Sequence, residues 1–182
     1  MSLYPIHTLE SAPEQSKPAM EGLNNVFGFI PNLIGVMSNS ANLVNSLVGL
    51  FGKVHGGSFT EPQIQIVLLT NAVTNGAAWA VAFHSALALG EGISEADVQA
   101  IRAGNLPSDA TFAALSHLAK TLIEKRGRVD RKEIERFVAA GFDKEQALEL
   151  IAIVAASTIT NYTASVTQVP LDETFQAHAW KA

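Results

Sequence analysis

The chain contains no cysteine. Disulfides, thiolate metal sites and thiol nucleophiles are therefore excluded. Positive charge is the next shortage: 12 Lys and Arg stand against 17 Asp and Glu, a net charge of −5. Nucleic acid and anionic membranes both call for concentrated positive charge, so neither is expected as a partner. No stretch of about 18 residues is free of polar groups, and no membrane-spanning segment is expected. Residues 1–15 lack a basic stretch followed by an apolar run, so no signal peptide is read there and the expected location is the cytoplasm. His55, His84, His117 and His178 match no short ligand spacing, and no metal site is expected. The Gly90-Glu91-Gly92 run lacks the third glycine and preceding strand of a dinucleotide fingerprint and reads as a turn.

What is present is apolar and helical. The 182 residues, 48% of them hydrophobic, suit one domain over 1–182 with its core at about 20–175. Residues 1–13 read as an extended arm broken by Pro5 and Pro13. A helix is expected from about Glu14 to Val26, then a buried connection through Gly28 and Pro31 into a short helix, then a helix over roughly Ala41–Val54. The central block runs from Phe59 to Ile93. Thr60 serves as N-cap and Pro62 as a first-turn residue. Gly76 breaks this helix from a second one, over about Ala77–Leu89, rich in small residues. Further helices are expected from Ser94 to near Gly104, from Ser108 to about Lys125, over Val129–Ala140 and over 143–167, with Pro170 as a stop. No strand is convincing. The fold class is all-α, with seven or eight helices.

The blocks opening at Glu61 and Glu145 both run apolar to an asparagine, Asn75 and Asn161. Either a duplicated helical hairpin or two buried helices of ordinary composition produces this echo. Asn161-Tyr162-Thr163 also fits a glycosylation sequon, which carries little weight in a chain with no secretion signal.

Three features carry a family resemblance. The first is residues 27–37, with Gly28, Pro31 and Asn32. The second is Asn75-Gly76-Ala77-Ala78-Trp79-Ala80-Val81-Ala82-Phe83-His84, followed by Ala88-Leu89-Gly90 and Ile93-Ser94. The third is Ile159-Thr160-Asn161-Tyr162 with Pro170-Leu171-Asp172. Together they resemble the alkylhydroperoxidase D-like / carboxymuconolactone decarboxylase superfamily, in its peroxidase-related subgroup. The resemblance implies a multihelical alkylhydroperoxidase D-like fold and a homo-oligomer.

The departures bear on chemistry. The family's two motif cysteines fall at Ala77 and Ala80, and the acidic residue of its proton relay falls at Gln65. A thiolate that attacks the O–O bond and a second thiol that resolves the sulfenic acid are both missing. His84 is retained, with Trp79 where an aromatic is usual. The decarboxylase branch lacks the cysteine pair yet keeps the histidine, and its acid–base chemistry needs no cofactor. His84 is thus the candidate catalytic residue, since an ordinary imidazole titrates near neutrality. The open alternative is a core histidine bonded to a carbonyl or to Gln65. Gln65, Trp79, Ala77, Ala80 and Phe27 are the candidate pocket residues. The expected partner is a small carbonyl or lactone metabolite, with a non-catalytic oligomeric binding or scaffold protein as the alternative. Arg102 and Lys53 are the nearest basic residues that could clamp an anion.

Overall fold

The structure, a computed structural model, describes residues 3–181. Among these residues there are nine α-helices, two short 3-10 turns and no strand. The helices are α1 (Lys17–Phe27), α2 (Asn32–Met37), α3 (Ala41–Val54), α4 (Glu61–Thr74), α5 (Ala78–Gly90), α6 (Glu95–Arg102), α7 (Ala110–Glu124), α8 (Arg131–Ala139) and α9 (Lys144–Thr167). The 3-10 turns are Glu14–Ser16 and Glu173–His178. Seven or eight helices were expected. The short helix expected after Pro31 is present as the six-residue α2, which Pro31 begins and Ser38 ends, and it is one of the nine.

Helix α4 is the axis of the molecule. Nine of its 14 residues, Ile64 through Ala72, are buried, and it packs against α5, α6, α7 and α9. Its start follows from local chemistry: Thr60 N–H donates to Gln63 Oε1 at 2.9 Å, and Pro62 needs no helical donor in the first turn. Its end is a Schellman-type closure. Gly76 takes φ +64°, its N–H donates to Val73 O, and Ala77 N–H donates to Ala72 O at 2.9 Å. This turn reverses the chain directly into α5, so α4 and α5 form an antiparallel pair.

Helix α9 closes the other side of α4. By length and composition it could cross a bilayer, with 24 residues and an 18-residue stretch of mean hydropathy 1.3. Here it packs against α2, α3, α4, α5, α7 and α8. Its inner face carries the buried polar residues Ser157, Thr160 and Asn161. The Asn161 amide donates to Asn71 Oδ1 at 3.1 Å, and Asn71 donates to Val154 O at 2.8 Å. Asn75 donates to the same Asn71 oxygen. The two asparagines of the sequence echo therefore meet through Asn71. Asn161 is fully buried, so the sequon is closed to a glycosyl donor.

The N-terminal arm crosses α2, where His7 N–H donates to Gly35 O at 3.1 Å. A Cβ on Gly35 would stand 2.7 Å from His7 O, a backbone atom that cannot swing away. Gly35→Ala is expected to lift the arm off α2 and lower stability by about 1–3 kcal/mol, read as a fall in the midpoint of thermal unfolding. An unchanged midpoint would show that the arm contributes nothing.

Candidate functional site

One face of α4 and one face of α5 line a cavity of about 720 Å³. From α4 come Glu61, Gln65 and Leu68, spaced i, i+4, i+7. From α5 come Trp79, Phe83, His84 and Leu87, with Glu91 just past its end. The rest of the wall includes Val26 and Phe27 of α1, Pro31, Phe51 of α3 with His55 just past its end, and Thr160 of α9. The lining is mainly apolar, as small-molecule cavities are.

The floor is one hydrogen bond between the two central helices. His84 Nδ1 and Gln65 Oε1 lie 3.1 Å apart, and both residues are buried. A carbonyl oxygen can only accept, so Nδ1 carries the proton and Nε2 presents a lone pair. The Gln65 amide nitrogen has no hydrogen bond within the described protein, and neither has His84 Nε2. The one sealed side-chain polar atom without a partner among the described residues is Asn161 Oδ1. His84 Nε2 and the Gln65 amide are therefore open to the cavity.

Burial pushes the His84 imidazole down to about 3, with the charge of His55 a smaller cause in the same direction. An apolar surrounding penalises the charged form. The sequence suggested a histidine titrating near neutrality; in the fold His84 is a neutral, fixed hydrogen-bonding group at pH 7.

The aromatic wall is held from outside. Trp79 stacks on Phe83 with centroids 4.9 Å apart, and Phe83 meets Phe27 edge-on at 5.5 Å and His84 edge-on at 5.1 Å. Trp79 Nε1–H donates to Asp172 Oδ2 at 3.1 Å, while Asp172 Oδ1 accepts the N–H of Asn32 at 2.8 Å. The segment Pro170-Leu171-Asp172 thus fixes both the indole and the start of α2.

The structure brings His84, Gln65, Trp79 and Phe27 to one cavity. Ala77 and Ala80 are buried but take no part in its lining. Methyl groups at these two positions offer neither a lone pair nor reach. Arg102 is committed elsewhere: it donates to Ser85 Oγ and His178 O at 2.9 Å and to Ala179 O at 3.0 Å. Neither Arg102 nor Lys53 lines the cavity. Sequence reasoning passed over His55 and Glu61, which do. The signal for Glu61 was its i, i+4 relation to Gln65; His55 lies on another helix and left none.

His84 in the unfolded chain has an ordinary imidazole value of 6.5 and in the fold about 3. Between these values the unfolded state binds the extra proton, so stability is fully present above about pH 6.5 and lost as pH falls. The thermal midpoint is expected to drop from pH 7 to about pH 5, before carboxylates contribute, and the drop should shrink in His84→Gln. An identical pH slope in that variant would contradict the buried neutral imidazole.

No protein-family profile matches the chain, and no curated protein matches it. Among solved structures, an uncharacterized peroxidase-related protein from Ralstonia eutropha JMP134, described as an alkylhydroperoxidase AhpD core, superposes with a TM-score of 0.85 at 16% identity, over 96% of this chain and 94% of that one. The debrominase Bmp8 superposes with a TM-score of 0.79 at 17% identity, over 97% and 95%. A cysteine-to-alanine variant of that debrominase in complex with 2,3,4-tribromopyrrole gives 0.77 at 17% identity, over 98% and 97%. At these identities the likeness speaks to architecture, and the all-α fold of this chain is the alkylhydroperoxidase D-like fold.

Proposed function

We propose that this chain holds a small, neutral carbonyl or lactone metabolite in the α4–α5 cavity without a cofactor. The observation that carries the proposal is the pair of unpartnered atoms on the cavity floor. The Gln65 amide can donate to a carbonyl oxygen, and His84 Nε2 can accept from a hydroxyl or N–H of the same molecule. The remaining wall offers apolar and aromatic contact. Charge supports a neutral guest: the ionisable residues of the lining are His55, His84, Glu61 and Glu91, with no lysine or arginine. The debrominase variant bound to 2,3,4-tribromopyrrole supports the size class, since a small heterocycle occupies a protein of the same fold that has lost a cysteine. Thiol-dependent peroxide reduction has no nucleophile in this chain. With an imidazole at about 3, His84 contributes binding and orientation, and a proton-transfer step needs another group.

Calorimetric titration with dihydrocoumarin, a neutral aromatic lactone, tests this reading. The native chain is expected to bind it, and Gln65→Leu to weaken binding about tenfold, the worth of one hydrogen bond. No binding, or equal binding by that variant, would overturn the assignment.

A second reading, a non-catalytic oligomeric binding or scaffold protein, draws on α9. Leu148, Ile151, Tyr162 and Val166 are 70%, 48%, 60% and 71% exposed and follow one stripe of the helix. No charged residue occurs between Glu149 and the helix end. A second copy of the chain would cover such a stripe by its own equivalent. Sedimentation at micromolar concentration is expected to give a species larger than the monomer, and Leu148→Glu with Val166→Glu to return it to monomer. A native monomer would remove this reading.

A further inference from the structure

The cavity contains a second hydrogen-bonded pair, both members ionisable, that the binding reading leaves unused. His55, at the end of α3, and Glu61, the first residue of α4, both line it. His55 Nδ1 lies 2.9 and 3.0 Å from the two Glu61 carboxylate oxygens. The imidazole also stacks on Phe51, with centroids 5.7 Å apart and an interplanar angle of 24°. A carboxylate accepts only, so Nδ1–H is the donor and Nε2 is left free for a visitor. Glu61 is placed where the exposed N–H groups of α4 favour negative charge. The His55 side chain is 40% exposed, so a proton taken up there exchanges with solvent, unlike one at His84.

Register connects the two pairs. Glu61 and Gln65 are four residues apart on α4, so they stand on the same face about one 5.4 Å turn apart. A carbonyl group held by the Gln65 amide is then one helical turn from the His55–Glu61 pair. The electrostatic influence of His55 on His84 agrees with this proximity.

We propose that His55, oriented by Glu61, is the general base of the cavity and serves the addition of water to a neutral ester or lactone. The proposal rests on the reading that a carbonyl compound occupies the cavity. The water oxygen bonds to the carbonyl carbon as its proton passes to His55 Nε2. The carbonyl π pair moves onto oxygen, which accepts a hydrogen bond from the Gln65 amide. The carbonyl re-forms as the C–O ester bond breaks, and the departing alkoxide oxygen takes the proton back from His55. Atoms and charge balance with no oxidant, reductant or metal. The acid so formed ionises, and a cavity lined by Glu61 and Glu91 without lysine or arginine favours its departure.

The test uses the full chain and dihydrocoumarin, with binding by calorimetry, ring opening by ultraviolet absorbance, and thermal unfolding to confirm that each variant is folded. His55→Gln is expected to bind like the native chain and to open the ring about 100-fold more slowly or worse. Glu61→Gln, which keeps an acceptor for Nδ1–H but not its charge, should show a smaller loss in kcat with KM little changed. His117→Gln, whose partners are Glu133 and Arg136 outside this cavity, should leave the rate unchanged. Binding without ring opening, or native rates in His55→Gln, would overturn the role of His55 and leave the cavity reading standing. Failure of the native chain to bind would overturn the cavity reading, and this proposal with it.

Discussion

The bond from His84 to Gln65 is the constraint on which the site depends. It joins α4 to α5 at 3.1 Å inside an apolar core. An imidazole so deeply buried is tolerable only if it stays neutral and its N–H finds an acceptor. Gln65 meets the second condition and fixes the tautomer. Both conditions follow from α4 being buried nearly all round. That in turn requires the tight reversal at Gly76, which lays α5 directly against it.

Two histidines share the cavity in contrasting settings. His84 is buried behind the cavity wall except at Nε2, bonded to a neutral amide and held far below the usual imidazole range by desolvation. His55 stands toward solvent and is bonded to a carboxylate. Separating a fixed hydrogen-bonding floor from an exchangeable proton site is a division of labour found in many hydrolytic centres, where one group orients the carbonyl and another moves the proton. The lining holds no lysine or arginine, which is the ground for proposing a neutral guest. Arg102, the nearest cation in sequence, holds the C-terminal turn against α5 and α6 instead.

Much of the architecture was legible in short-range signals. Thr60, Pro62 and Gly76 marked both ends of α4, and in the structure Asp143 and Gln146 cap α9 by reciprocal bonds. His84, Trp79, Gln65 and Phe27, the residues singled out in the sequence, do converge on one cavity. Other signals were local truths with a different tertiary meaning. The sequon at Asn161 has the right letters, yet its amide is spent on Asn71 in the core. The resemblance set reactive cysteines at positions 77 and 80; the alanines there are packed in the core and outside the cavity lining. Pro170-Leu171-Asp172 could be quoted as a pattern; that its carboxylate holds the Trp79 indole and starts α2 required the assembled chain.

The sequence by itself determined the helices, their caps and the absence of any thiol, because periodicity, turn residues and composition act over a few residues. Only the tertiary structure decided which ionisable groups face the same space and in what state of charge. Desolvation of His84 depends on everything packed around it, and the meeting of His55 with Glu61 depends on how the chain bends between two helices. Those are properties of the assembled volume, and no stretch of the chain carries them alone.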